Sequence, residues 1–316
     1  MITVGKPYQD LDLQELSRLR VLPFLSRVLL YLVLLVPAAL LALSSAPAPA
    51  LAGIVLVGLI YAHGVELQHQ ALHNSAFPSK SWNRFVGFLL GLPMLVSFSD
   101  YQHSHLRHHR LLGTRDDREF FNYGYDRLTS LRPLLMHLFM LRHYRDVSRF
   151  IAGAAVGRTK PDIKPEAAGK IRTEYQLMAL CIVIAAVLSV VFHSTAALRL
   201  WLLPLLIAVP AHALIELPEH WGEDHDSLDV RHNTRTISAG WFASWYTNGN
   251  NFHIEHHWLP SVPNHRFREL HSRIRDEIEP DAGYGAFYRQ FLAELYHNTF
   301  SRGPRGGGNL KDTTTA

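Results

Sequence analysis

Residues 24–43 read FLSRVLLYLVLLVPAALLAL. Twenty residues at a helical rise of about 1.5 Å each cover about 30 Å, the hydrocarbon thickness of a bilayer, so this stretch specifies a membrane-spanning helix. A short turn, SSAPAPA at 44–50, closes it, and a second apolar run, Ala48 to Val65, follows. Tyr175 to Phe192 and Ala196 to Ile215 repeat the pattern. The chain therefore reads as an all-α integral membrane protein with four transmembrane helices in two hairpins. A fifth apolar segment, Phe85 to Phe98, has 14 residues and contains Pro93, so it reads as buried or interfacial.

Charge sets the orientation. Of 31 Lys and Arg residues, 30 lie up to Arg27 at the start of the first span, between the second and third spans, or after the fourth, and Arg199 alone falls in an outer turn. By the positive-inside rule both termini and the long middle segment are cytoplasmic. The first 20 residues are polar and charged, and the first apolar run is too long for a signal-peptide core, so no cleaved leader is expected. The isoelectric point of about 9.2 is explained by anionic lipid headgroups rather than by nucleic acid. The single cysteine, Cys181, lies within the third span, which argues against disulfides, iron–sulfur clusters and thiol catalysis.

Residues 1–300 form one integral domain, with an amphipathic lead-in up to Leu22, and Ser301 to Ala316, rich in Gly and Thr, reads as a disordered tail. Leu131 to Phe150 mixes apolar residues with arginines as a single membrane-surface helix does, and Arg158 to Lys170 reads as a linker. Asn74, Ser75 and Pro78 end a second-span helix that continues past the bilayer.

Three histidine boxes occupy the cytoplasmic segments: HQALH (His69, His73), HLRHH (His105, His108, His109) and HIEHH (His253, His256, His257). Residues three and four apart share a helix face, so each box aims its imidazoles one way, as a metal site needs. With 20 histidines in the chain, chance supplies about one HxxxH but only about 0.08 of an HxxHH, so the two HxxHH boxes carry the signal. Eight imidazoles could hold two metal ions at four nitrogens each, on a cytoplasmic helical cap. Imidazole suits iron, zinc, copper and nickel alike, so the ligand set does not name the metal. None of the boxes contains the Glu-x-x-His pairing of soluble di-iron bundles.

The other histidines read more plainly. His212 sits in an apolar span, where an imidazole usually satisfies a local hydrogen bond, although His212, Glu216 and His220 nominally share one face. His63 and His103 break the box spacing; His137 and His143 belong to the surface helix; His193 is at an outer turn; His225, His232, His265, His271 and His297 read as solvated. Asp116, Asp117 and Glu119 form a charge run whose Asp117 is best placed to hold a box imidazole. Arg231, Arg235, Arg266 and Arg268 could meet an acidic headgroup, and Trp82, Trp221, Trp241, Trp245 and Trp258 read as interface anchors.

The boxes, the last of them within NNFHIEHHWLP, and the two apolar hairpins resemble the membrane fatty acid desaturase and hydroxylase superfamily over roughly Leu51 to Leu270. The resemblance implies a non-haem centre of two iron ions that uses O2 to remove hydrogen from an unactivated C–H bond. It implies His69, His73, His105, His108, His109, His253, His256 and His257 as ligands. Acyl-CoA members carry Asn, then His four residues on, just after the fourth span; here the pair is Glu216 and His220. His220 is carried over as a ninth ligand, and Glu216, the departure, as a residue that ligates, holds a metal-bound water or orients His220. The activity implied is acyl desaturation on an acyl lipid or acyl thioester. A hydroxylase, carotenoid ketolase or acetylenase would use the same site. The chain has no haem-binding HPGG segment, so a separate ferredoxin- or cytochrome-type donor with its reductase is expected. A zinc hydrolase needs about three protein ligands, which would leave most of these histidines surplus. A metal transporter needs ionisable groups deep in its spans, which are nearly free of them. Arginine exceeds lysine 25 to 6, which points to a GC-rich bacterial gene and a bacterial cytoplasmic membrane.

Overall fold

The computed structural model describes residues 12–118, 120–121, 128, 130–160, 163–278 and 282–300. Glu119, Pro161 and the tail 301–316, discussed above from sequence, lie outside them. The described chain is helical, without a β-sheet; its one bridge pairs Thr236 with Phe252. After a single turn, α1 (Leu13–Leu16), come α2 (Val21–Ala42) and α3 (Pro47–Leu72). Next are α4 (Lys80–Gly91), α5 (Phe98–Leu111), α6 (Leu131–Leu138), α7 (Leu141–Ala155) and α8 (Pro165–Val191). A π turn at Leu198–Leu202 leads into α9 (Leu203–His220). The remaining helices are α10 (Val230–Asn233), α11 (Trp241–Tyr246), α12 (His253–Trp258), α13 (Phe267–Ile274) and α14 (Tyr284–Phe300).

Four helical stretches are long and apolar enough to cross a membrane: Leu13–Ala42, Pro47–Leu72, Pro165–Val191 and Leu198–His220. The second and fourth bury 56% and 44% of their apolar windows, the first and third 17% each. The α3 and α9 helices are thus the inner pair, and α2 and α8 face outward. Their outward faces carry Leu29, Val33, Val36 and Leu40 on α2, and Val183, Val187, Val190 and Val191 on α8. A contiguous apolar surface of that extent needs lipid, not water. The helices Lys80–Met94 and Phe98–Leu111 meet at 99° across a short break, the geometry of a broken span or a re-entrant loop.

Small residues let the inner helices touch. A Cβ on Gly53 would stand 2.1 Å from the Ala42 backbone nitrogen of α2, and one on Gly58 would stand 2.6 Å from the Pro204 carbonyl of α9. In lipid, helix association depends on such close backbone approach. Gly58→Val is therefore expected to separate α3 from α9 and cost several kcal/mol, because backbone, unlike a flexible side-chain end, cannot yield. The check is the folded, monodisperse fraction in detergent, which should fall at least about fivefold against Gly285→Val, whose added Cβ meets nothing within 4 Å.

Three boundaries differ from the sequence reading. The span helices outrun their apolar cores, since intrahelical hydrogen bonds continue into the polar flanks. The segment taken as a linker is helical from Pro165, where a proline at N1 sacrifices no hydrogen bond. The surface helix is two helices, broken at Phe139 and Met140, with Met140 at φ 47°. Its His137 and His143 are buried rather than solvent-facing.

Candidate metal centre

Three separate anchors bring the boxes together. His69 lies in the last turns of α3 and His73 caps its C-terminus. The second box rides on α5, whose first turn is pinned to α8. Glu174 accepts from Ser97 Oγ (2.7 Å), Ser99 N (2.8 Å), Ser99 Oγ (2.6 Å) and Arg84 Nε (2.7 Å). The neighbouring Tyr175 hydroxyl donates to Asp100 at 2.7 Å. The third box forms α12, held from beneath by Glu255, which is fully buried and accepts from Thr236 Oγ1 at 2.5 Å and meets His271 Nδ1. His271, expected in solvent, is thus a structural partner of the box.

The Nε2 atoms converge. His105 Nε2 lies 2.8 Å from His69, 3.0 Å from His73, 3.0 Å from His109 and 3.4 Å from His256, all at Nε2. His109 and His256 are 3.0 Å apart. On the other side, His253 Nε2 stands 3.1 Å from His220 and 3.0 Å from His257. His69, His73, His105 and His256 form one potential metal-holding group; His108, His220 and His257 form another; His109, His256 and His257 lie between. The structure therefore gathers all eight box histidines and His220. His63, His103, His137, His143 and His271 fall outside these groups.

Such a cluster cannot be satisfied by protons. One imidazole nitrogen either donates once or accepts, so His105 Nε2 cannot bond four like neighbours. A cation between them would use every lone pair. With metal–nitrogen bonds of about 2.1 Å, ligands at right angles stand about 3.0 Å apart, the spacing found here. Burial, and after it the neighbouring imidazoles, hold His105, His109, His253, His256 and His257 well below the usual histidine pKa. Burial alone takes His73 to about 4. All present the neutral form a metal requires.

Outer partners fix the rings. Asp117 meets His108 Nδ1 at 2.9 Å, and the Asn233 carbonyl meets His220 Nδ1 at 2.9 Å. Asp117→Ala leaves α5 intact and frees the His108 ring, so metal affinity should drop about 10–100-fold, read by competition with a chelator. A retained affinity would show that the ring is held by packing instead.

Besides Glu174 and Glu255, the buried acids Glu66 and Glu219 were missed in the sequence. Glu66, in α3, meets His212 Nδ1 at 2.9 Å and accepts from Asn250 Nδ2 at 2.7 Å. Glu216 lies 3.7 Å from His212 Nε2, so the three make a second polar knot between the inner helices. Glu219 Oε2, next to His220, stands 3.4 Å from His253 Nε2. A signal for Glu66 existed: Glu66-Leu-Gln-His69 is a Glu-x-x-His pair straddling the start of the first box.

Beside the first two boxes runs a groove of about 600 Å³ between α4, α5 and α8. Its apolar wall is Phe85, Phe88, Phe98, Leu106 and Leu177.

The fatty acid desaturase family model matches residues 45–290. This chain belongs to the fatty acid desaturase family. It is 23% identical over 250 residues to a Delta(8)-fatty-acid desaturase of Euglena gracilis, covering 70% of this chain and 60% of the relative. It is 27% identical over 105 residues to an acyl-lipid (8-3)-desaturase of Thraustochytrium, covering 32% of this chain and 23% of that one. The chain thus spans about three-fifths of the Euglena relative's length. The buried histidine clusters are compatible with a metal site.

Proposed function

We propose that this desaturase family member introduces a double bond into a fatty acyl chain with O2 at a centre of two non-haem iron ions. The observation behind the reading is the convergence of nine imidazoles into two adjoining Nε2 clusters. His69, His73, His105, His109 and His256 would hold one ion, and His108, His220, His253 and His257 the other. When bound, the iron pair supplies the oxidising power to take two hydrogens from adjacent methylenes, with O2 as oxidant and two electrons from a separate donor protein. Everything else falls to the polypeptide.

The chain's own work is binding, orientation and exclusion of water. The groove between α4, α5 and α8 is placed to take an acyl chain: Asn74 in its wall adjoins His73, and Leu106 adjoins His105. Its apolar wall, flanked by Lys80, Arg84, Glu166, Lys170 and Glu174, would hold the reacting segment in one register, which is what positions one carbon rather than its neighbour. Glu219 beside His253 offsets part of the charge of the second ion. Glu216 acts through His212 and Glu66 on the frame of α9 that carries His220. The charge asymmetry of the loops places both termini and the centre on the cytoplasmic side, with the donor docking there.

The test is to express the chain beside a His256→Ala variant in a host with compatible donors, then profile acyl lipids by mass spectrometry and iron by elemental analysis. A new double bond that is absent in the variant, with about two irons per chain, is the expected result. A new hydroxyl or keto group would replace desaturation with oxygen insertion at the same centre. Zinc in place of iron, with no lipid product, would overturn the reading.

A further inference from the structure

Of four arginines that could meet an acidic group, three are engaged. Arg231 pairs with Asp229 and Glu277, Arg235 with Glu223, and Arg266 with Glu269 and Glu15. Arg268 has no ion pair among the described residues. It is exposed at the mouth of a pocket of about 190 Å³ between α2, α11 and α13, together with Arg27, His265, Trp241 and Trp245. No carboxylate lines that pocket. Glu269, on the neighbouring helix turn, is taken up by Arg266 and Arg273.

Arg27 sharpens the case. It sits within a membrane-spanning helix, half-buried, and its hydrogen-bond partner among the described residues is the neutral Asn248 side-chain oxygen. A guanidinium withdrawn from water without an anion is costly, and such residues are placed where a counter-charge arrives. Both ring nitrogens of His265 are also buried without a hydrogen bond. The pocket therefore presents two cationic forks and an unsatisfied imidazole to an absent anion.

The surroundings identify the source of that anion. Trp241 and Phe242 are 76% and 64% exposed beside the pocket, at the end of the first span, as aromatic residues are at the headgroup level of a bilayer. We propose that Arg27 and Arg268 bind the phosphodiester of a membrane phospholipid, at a site separate from the acyl groove. Guanidinium forks match phosphate oxygens in pairs, and His265 can add one further hydrogen bond. The bound phosphate has a direct route to the third box. Arg27 holds Asn248, whose amide donates to the Glu66 carbonyl at 3.0 Å and whose carbonyl accepts from Asn264 at 3.0 Å. Asn248 also lies five residues before His253, in the turn between α11 and α12. Lipid occupancy would thereby stiffen the segment that aims the third box.

The proposal needs neither metal nor turnover, so it can fail without the desaturase reading failing, and the reverse. The experiment titrates full-length protein in neutral detergent with phosphatidylglycerol brominated on its acyl chains, following tryptophan quenching. Saturable quenching is expected, lost in a Trp241→Phe/Trp245→Phe variant and not reproduced by brominated diacylglycerol, which lacks phosphate. Arg268→Gln should weaken it at least about tenfold, as loss of a charge-assisted phosphate contact does. Arg268 is exposed, so the substitution spares the fold; Arg268→Lys, which keeps the charge but not the fork, should bind between the wild type and Arg268→Gln. Equal quenching by diacylglycerol, or an unchanged affinity in Arg268→Gln, would overturn the site. Displacement of the lipid by millimolar inorganic phosphate or by CoA, at concentrations where the brominated phospholipid itself does not saturate, would overturn the lipid source.

Discussion

Replacing His105 with alanine is expected to drop iron content from about two per chain to less than one and to lower product formation more than about 100-fold, beyond the 10–100-fold typical of removing a ligand's outer hydrogen-bond partner. The reason is its position. Its Nε2 stands within 3.4 Å of the Nε2 atoms of His69, His73, His109 and His256, so it is the one nitrogen shared by the whole first cluster. Removing it takes away the central donor of that side, around which the other nitrogens are gathered within 4.8 Å of one another. The variant also opens a buried cavity, so metal loss must be separated from unfolding. His103→Ala supplies the control two residues earlier on α5: His103 is only half-buried, faces a polar pocket with Asp100, and belongs to no metal-holding group. It should keep iron and product within about twofold, as a surface change does. Wild-type iron and product in His105→Ala, measured on protein with unaltered thermal unfolding, would remove this histidine from the centre.

The spans and boxes were legible because each rests on a local pattern. An apolar run of about 20 residues needs no partner to be recognised, and a histidine three or four residues from another needs only helical geometry. What stayed hidden depends on residues far apart in sequence. Glu66 carries one local sign, its Glu-x-x-His spacing to His69; its partners appear only when α9 brings His212 and the third-box turn brings Asn250 to it. His212 was read as a core histidine with a local hydrogen bond; its Nδ1 instead meets Glu66 of the other inner helix, and its Nε2 stands 3.7 Å from Glu216, which makes it a link between the inner helices. His271 and His265 looked solvated because both sit in or beside a stretch dense in charge, Arg266 to Glu277, whereas Glu255 and the Arg27 pocket reach them from elsewhere. The break at Met140 has neither glycine nor proline to announce it. Asp117 was the exception among the acids, found because it follows its box within one loop.

Acidification from pH 7.5 to 5.5 should destabilise the metal-free protein steeply and drive metal out of the holoprotein over the same range. Burial holds His73 at about 4 and His143 at about 3, and keeps the second- and third-box histidines His105, His109, His253, His256 and His257 well below 6.5. In the unfolded chain each of them titrates near 6.5, so below that value the unfolded state binds more protons than the folded one. Stability therefore rises with pH through this window, is fully present above about 6.5, and is lost as pH falls beneath it. Each histidine that stays neutral in the fold contributes a slope of about 1.4 kcal/mol per pH unit, and several acting together rival the whole stability of a typical domain. The paired surface acids Asp229 and Glu269, whose pKa values are lowered, act in the same direction but only below about pH 4.5, outside the window. Metal steepens the dependence, because protons compete for the nitrogens it needs. Thermal unfolding of the metal-free protein at half-unit steps of pH tests this. A midpoint that is flat or rises on acidification would mean the cluster admits protons inside the fold, and the box imidazoles would then be solvated rather than buried ligands.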